Sequence, residues 1–220
     1  MDECLHSVLP SKEHIATFPR FQNLVPERIL VINSLQQCEA LRSELEQVTV
    51  FGFDSESKPT FKAGEVSTGP HLIQLATLDK AYLFQMHEQI WQFLKPIFAS
   101  RDQIKVGFGL KNDAHLFRKR GIELNNVIEL STCFRDFGLK NPVGLKNAMA
   151  LLFQVNFPKS KHISTSNWAT KHLSPAQISY ATADAYAPRL VFEELLARGL
   201  LPKDLPGTSL KPKIQPNSTI

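Results

Sequence analysis

Two acids, Asp54 and Glu56, close the apolar run TVFGFD-S-E at positions 49–56. Successive side chains of a strand alternate faces, so residues i and i+2 point the same way about 7 Å apart. Two like charges on one face of a strand have two explanations. In one, the strand ends at Phe53 and both acids lie in a solvated turn before Lys58 and Pro59. In the other, a hard divalent cation sits between them, since Mg²⁺ and Mn²⁺ take carboxylate oxygens and cancel their repulsion. Acids elsewhere in the chain must decide.

Two more stand in unusual surroundings. Asp113 follows the strand-like IKVGFG at the opening of a helical segment. It can serve as an N-cap, or as a metal-facing carboxylate at the C-terminal edge of a sheet, where α/β folds place their sites. Asp184 lies inside the helical stretch YATADAYA, a position where aspartate is less favourable than alanine by several tenths of a kcal/mol. Tyr180 precedes it by four residues on the same helical face. Ala181, Ala183, Ala185 and Ala187 remove bulk around the pair, so the helix backbone can approach a sheet and present one phenol and one carboxylate to it.

The elements that must position these residues follow from periodicity. Strands are predicted at 28–32, 49–54, 71–77, 80–85, 104–109 and 127–130, with 71–77 and 80–85 forming a hairpin across a Leu-Asp turn. Helices are predicted from Leu35 behind an Asn33-Ser34 cap, over 87–99, 113–120 and 143–153, and as a long helix opened by Ser174-Pro175. Strands alternating with helices, with one hairpin among them, indicate an α/β domain with a mixed central sheet flanked by helices. Residues 1–25 read as an irregular N-terminal arm, 26–200 as one domain, and the proline-rich 201–220 as a flexible tail.

Composition narrows the class. At 220 residues the chain can bury its own core. Cys4, Cys38 and Cys133 form neither a C-x-x-C pair nor a disulfide framework. No run approaches the ~18 apolar residues of a membrane span, and no apolar leader opens the chain. The expectation is a soluble cytoplasmic protein, not a membrane one. A formal charge of +4 permits a polyanionic partner without demanding one.

D-x-E on a strand, an Asp after a later strand and Y-x-x-x-D on a late helix occur in the segments FDSES, LIQLAT, KVGFGLKNDAHLF and SNWATKHLSPAQISYATADAY. Over about residues 28–198 the chain resembles the DEDD 3′–5′ exonucleases of the ribonuclease H-like fold, in the tyrosine branch that includes RNase D and the Werner-syndrome exonuclease domain. The resemblance implies a metal-dependent 3′–5′ exonuclease that hydrolyses phosphodiester bonds from the 3′ end of nucleic acid and releases nucleoside 5′-monophosphates. It implies two divalent ions, Mg²⁺ or Mn²⁺. Asp54 would bridge both, Glu56 and Asp184 would complete the first, Asp113 would hold the second through water, and Tyr180 would orient the attacking water. Pro188, four residues after Asp184, departs from the pattern and predicts a kinked or restarted helix. The chain also ends without the helical domains that follow the nuclease core of RNase D, so the core itself is expected to grip substrate.

For single-stranded 3′ ends of DNA or RNA, Lys58, Lys111 and Lys161 are candidate phosphate contacts, with Lys62, Lys159 and His162 in the same loops. Phe61 and His71 are candidate contacts to the terminal nucleotide. Arg118-Lys119-Arg120 before Gly121 fits a helix C-terminus, and Trp168 fits the core. Two other readings stand beside the exonuclease: a nuclease restricted to short RNA, and a non-catalytic nucleic-acid-binding module.

Overall fold

The computed structural model describes residues 9–60, 68–203, 205 and 210–213. Six strands, β1 (Ile29–Ile32), β2 (Val50–Glu56), β3 (Leu72–Ala76), β4 (Ala81–Gln85), β5 (Ile104–Gly107) and β6 (Val127–Glu129), form one sheet in the order β1-β4-β3-β2-β5-β6. β3 runs antiparallel to β2 and β4, while the β1/β4, β2/β5 and β5/β6 pairs are parallel. The sheet is therefore mixed, and the predicted hairpin is β3 and β4.

Strand β2 runs on through Glu56 instead of ending at Phe53, and it pairs with β3 to its last residue, Glu56 opposite Leu72. Alternation then sorts its residues. Phe51 and Phe53 enter an aromatic core with Trp91 and Phe98 of helix α3 (Glu88–Ala99), Phe117 of α4 (Lys111–Lys119), and Cys38 and Leu45 of α2 (Leu35–Glu46). Gly52, Asp54 and Glu56 lie on the other face, which helix α7 (Pro175–Ala197) covers. The capping residues match the sequence: Ser34 accepts from the Gln37 amide, and Ser174 with Gln177 forms a capping box behind Pro175.

Helix α7 meets β2 very closely. A Cβ on Gly52 would lie 1.9 Å from the Ala185 carbonyl oxygen and 3.0 Å from Arg189 Cβ, so only a residue without a side chain fits there. Ala181 and Ala185 are fully buried at this seam, as the alanine-rich sequence implies.

Four expectations need correction. Pro188 does not end or restart α7, which is one helix from Pro175 to Ala197. Pro188 is buried within it, and tertiary packing of the apolar residues Leu190, Val191, Phe192 and Leu195 holds the turn that lacks one hydrogen bond. Helix α4 begins at Lys111 rather than at 113, which places Asp113 within its first turn and makes Leu110 the N-cap. The segment read as an irregular arm holds a short helix α1 (Lys12–Thr17) with Ser11 as its cap, and then Phe21, buried in the core beside Phe157. Residues after 200 also pack: Leu201 is buried, Leu205 and Leu210 lie against the core, and the Lys213 amide donates to Glu193 at 2.7 Å. Widely spaced leucines fill gaps in a core that a local window does not register.

The remaining helices are α5 (Leu145–Phe153) and α6 (Lys161–Ser164), the second lying in the segment read as a basic loop. Cys38 and Cys133 are buried, and among the described residues no helix is long and apolar enough to cross a membrane.

Candidate active site

The site forms where the C-terminal end of β2 meets the middle of α7. Asp54, Glu56 and Asp184 each direct a carboxylate oxygen to one point, the three oxygens lying within 4.8 Å of one another. The oxygens around a single Mg²⁺ ion, at 2.0–2.1 Å from it, sit roughly 3–4 Å apart. The trio lies close to that spacing, and an all-oxygen donor set is the kind a hard cation takes.

Electrostatics say the same. Burial, and then the charges of Asp184, Asp113 and Glu56, raise the Asp54 carboxyl well above its ordinary range. Glu56 is pushed up to about 8, first by burial and next by Asp184, with Lys159 opposing. Burial also raises Asp184, against the pull of Lys159 and a hydrogen bond from Tyr180. Acids crowded so that their charged forms are disfavoured mark a place where an added cation gains most.

Asp113 is near this trio but outside it. It is buried on α4, and its carboxylate accepts a short hydrogen bond from the Ser55 hydroxyl, on the residue between the two acids of β2. The helix that carries it is set by Glu129 at the end of β6, whose carboxylate accepts from the amides of Gly109 at 3.1 Å and Leu110 at 2.8 Å. Sequence reasoning passed over Glu129, and the signal was slight: one acid closing the short strand VIEL.

Tyr180 is half-buried one turn before Asp184 on α7, close enough for its phenol and the Asp184 carboxylate to interact. Burial, followed by the charges of Asp184 and Glu56, pushes the phenol further above its ordinary range. Its ring is backed by Trp168, with centroids 6.1 Å apart, and Trp168 Nε1 donates to the Ser164 carbonyl at 3.1 Å. Trp168 is thus core, as expected, and fixes the tyrosine. Gln74, directly opposite Asp54 on β3, is fully buried with no hydrogen-bond partner at either end of its amide.

The expected substrate contacts are scattered. Lys58, Lys111 and Lys161 are exposed and form no ion pair with the acids among the described residues. Phe61 and Lys62 lie outside the described residues. His71 has both ring nitrogens engaged, accepting from the Lys58 amide at 3.1 Å and meeting the Thr68 hydroxyl at 3.1 Å, so it joins the two ends of the 57–70 loop. Arg120 holds the second of these ends from the helix C-terminus, donating to the Thr68 carbonyl at 2.7 Å while stacking over Trp91 at 4.8 Å. The cation that does reach the acids is Lys159, whose Nζ lies 3.6 Å from Asp184. Beside it opens a cleft of about 450 Å³, lined by Tyr180, Arg20, Lys146 and Lys159 among others. The basic loop pointed towards Lys159, but Arg20 and Lys146 carry no sequence signal.

With this geometry in view, comparison with known proteins is decisive. The profile of the 3′–5′ exonuclease family matches residues 29–199. The chain belongs to that family. It is 28% identical over 167 residues to the bifunctional 3′–5′ exonuclease/ATP-dependent helicase WRN of Mus musculus, a match covering 71% of this chain and 12% of that protein. In structure it is similar to the EXO domain of Aedes aegypti Nibbler, with a TM-score of 0.67 and 24% identity over 86% of this chain and 94% of that one. It is also similar to Escherichia coli RNase D, with a TM-score of 0.62 and 19% identity over 76% and 44% of the two chains. The chain spans 12–54% of the length of the curated relatives it matches. The ribonuclease H-like exonuclease fold and the DEDD family membership expected from the sequence are both observed.

Proposed function

We propose that this exonuclease domain hydrolyses the terminal phosphodiester of single-stranded nucleic acid from the 3′ end and releases nucleoside 5′-monophosphates, using two divalent ions, Mg²⁺ or Mn²⁺. The observation that carries the reading is the convergence of Asp54, Glu56 and Asp184 from strand and helix within 4.8 Å, with Tyr180 one helical turn before the last of them. Asp54, Glu56 and Asp184 would hold one ion, and Asp54 with Asp113 the other. Ions so bound supply charge that lowers the pKa of a water and stabilises the leaving oxygen.

The protein's own groups then have distinct tasks. Glu56, pushed up to about 8, would release its proton on ligating an ion, so metal uptake near neutral pH is expected to release protons. Tyr180 keeps its proton, because its surroundings raise a phenol that is already a weak acid. It orients the attacking water through its hydroxyl and does not abstract the proton. The water would add to phosphorus as hydroxide, losing one proton to solvent, while the bond to the 3′ oxygen breaks and that oxygen takes a proton from solvent. The open cleft lined by Arg20, Lys146 and Tyr180 gives the strand a path to the acids.

A panel of 5′- and 3′-labelled DNA and RNA single strands, recessed duplexes and dinucleotides tests this. Stepwise shortening from the 3′ end with mononucleotide product, dependent on Mg²⁺ or Mn²⁺ and stopped by chelator, is expected. Cleavage of circular DNA, or undiminished degradation of 3′-phosphorylated strands, contradicts it. Cleavage of dinucleotides alone favours a nuclease of short RNA, and binding without cleavage favours a non-catalytic module.

A further inference from the structure

Lys159 stands at the boundary between two environments of opposite chemistry. Its Nζ lies 3.6 Å from Asp184 Oδ1, and while the Asp184 side chain is 3% exposed, that of Lys159 is 48% exposed. On its other side is the cleft shared with Tyr180, Arg20 and Lys146, where the cations face an open channel. Lys159 precedes α6 on the segment Pro158-Lys159-Ser160, all exposed, and about half of its side chain faces solvent. An ammonium on such a stem is a mobile point charge.

We infer that Lys159 is an exchangeable counter-ion of Asp184: the ammonium and a divalent ion compete for that carboxylate, and the displaced ammonium moves to the phosphate backbone in the cleft. The inference rests on the exonuclease reading and deepens it. A dication held by Asp184 would bring two positive charges close to Nζ, and like charges at that range repel, moderately so where one partner is half exposed to water. The stem can turn only outward, towards the cleft, where phosphates would supply the partner it has lost. Lys159 is in this account a positioning residue. It couples ion entry to substrate grip, and its phosphate contact exists only once the ions are in place. Lys161, two residues on, is equally exposed but has no ion pair with the acids, so it serves as the comparison.

The test is Lys159→Met, which keeps the stem and removes the charge, with Lys159→Arg and Lys161→Met beside it. Titration calorimetry with Mn²⁺ alone reads the competition. Lys159→Met should bind Mn²⁺ about 2–5-fold more tightly than wild type, the range an exposed ion pair commands, whereas Lys159→Arg and Lys161→Met should not. Affinity for a single-stranded oligonucleotide with a non-hydrolysable 3′-terminal linkage reads the exchange. Lys159→Met should lose several-fold in Mn²⁺ and nothing in chelator. Unchanged or weaker Mn²⁺ binding, or an equal loss of oligonucleotide affinity with and without metal, overturns the inference while leaving the nuclease intact. A wild-type protein that neither binds Mn²⁺ nor shortens 3′ ends overturns both.

Discussion

The seam between Gly52 and α7 makes the most exacting prediction, because it ties catalysis to a residue that touches no substrate. In Gly52→Ala the new methyl would sit 1.9 Å from the Ala185 carbonyl oxygen and 3.0 Å from Arg189 Cβ. Since the first obstacle is helix backbone, rotamer changes cannot relieve it. Bringing that contact to 3.0 Å requires strand and helix to part by 3.0 − 1.9, or about 1 Å. Overpacking of a fitted core costs ~1–3 kcal/mol. The displacement falls between Asp54 on the strand and Asp184 on the helix, the two proposed to share one ion, whose bond lengths would tolerate only about ±0.2 Å. A misplacement of about 1 Å costs roughly 10²-fold in rate. Gly199→Ala is the control: Gly199 has φ +68° and open space around it at the end of α7, so the substitution should cost ~1–2 kcal/mol of strain and leave turnover alone. Denaturant unfolding, single-turnover hydrolysis and Mn²⁺ calorimetry on both variants give the answer. A Gly52→Ala protein that loses stability but keeps wild-type rate and Mn²⁺ affinity would refute the claim that this seam sets the acid geometry.

Other perturbations separate the roles further. Asp54→Asn should abolish turnover and weaken Mn²⁺ binding, since an amide supplies no charge to the ion; calorimetry with unchanged affinity removes Asp54 from the metal set. Tyr180→Phe should retain fold, ions and KM but lower kcat ~10²–10⁴-fold, and a near-normal single-turnover rate would leave an acid-only centre. Glu56 has its folded pKa raised from 4.5 to about 8, so the stability it contributes is fully present below pH 4.5 and is lost as pH rises through about 8. Without metal the melting temperature should therefore fall across that window, and the increment given by saturating Mg²⁺ should grow with pH; an increment constant from pH 5 to 8.5 would contradict it.

Much of the site is legible in the chain because its logic is local. An acid at i and i+2 on a strand must share a face, and a tyrosine and aspartate four apart among alanines must share a helix face pressed against something. What sequence cannot carry is which loop residue ends up beside which acid. Lys159 and Lys161 are equivalent in composition, and only the path of the chain after α5 sets one against Asp184. His71 looks available for substrate, yet both its ring nitrogens are occupied in joining Lys58 to Thr68. Glu129 and Ser55 act through amides and hydroxyls brought near by strand pairing. Arg20 reaches the cleft because the chain around it forms a parallel bridge with Asn156, a contact across more than half the sequence. Pro188 shows the converse, a strong local signal overridden by packing on all sides.

The central claim is that four acids arrange two ions across one phosphodiester. Anomalous diffraction from crystals grown with Mn²⁺ and a non-hydrolysable 3′-terminal dinucleotide tests it most directly. Two manganese peaks are predicted, one enclosed by Asp54, Glu56 and Asp184 and one between Asp54 and Asp113, with the Tyr180 hydroxyl turned towards the water on phosphorus. A single peak within the trio and none on the Asp113 side, in crystals that bind the dinucleotide, would contradict the account.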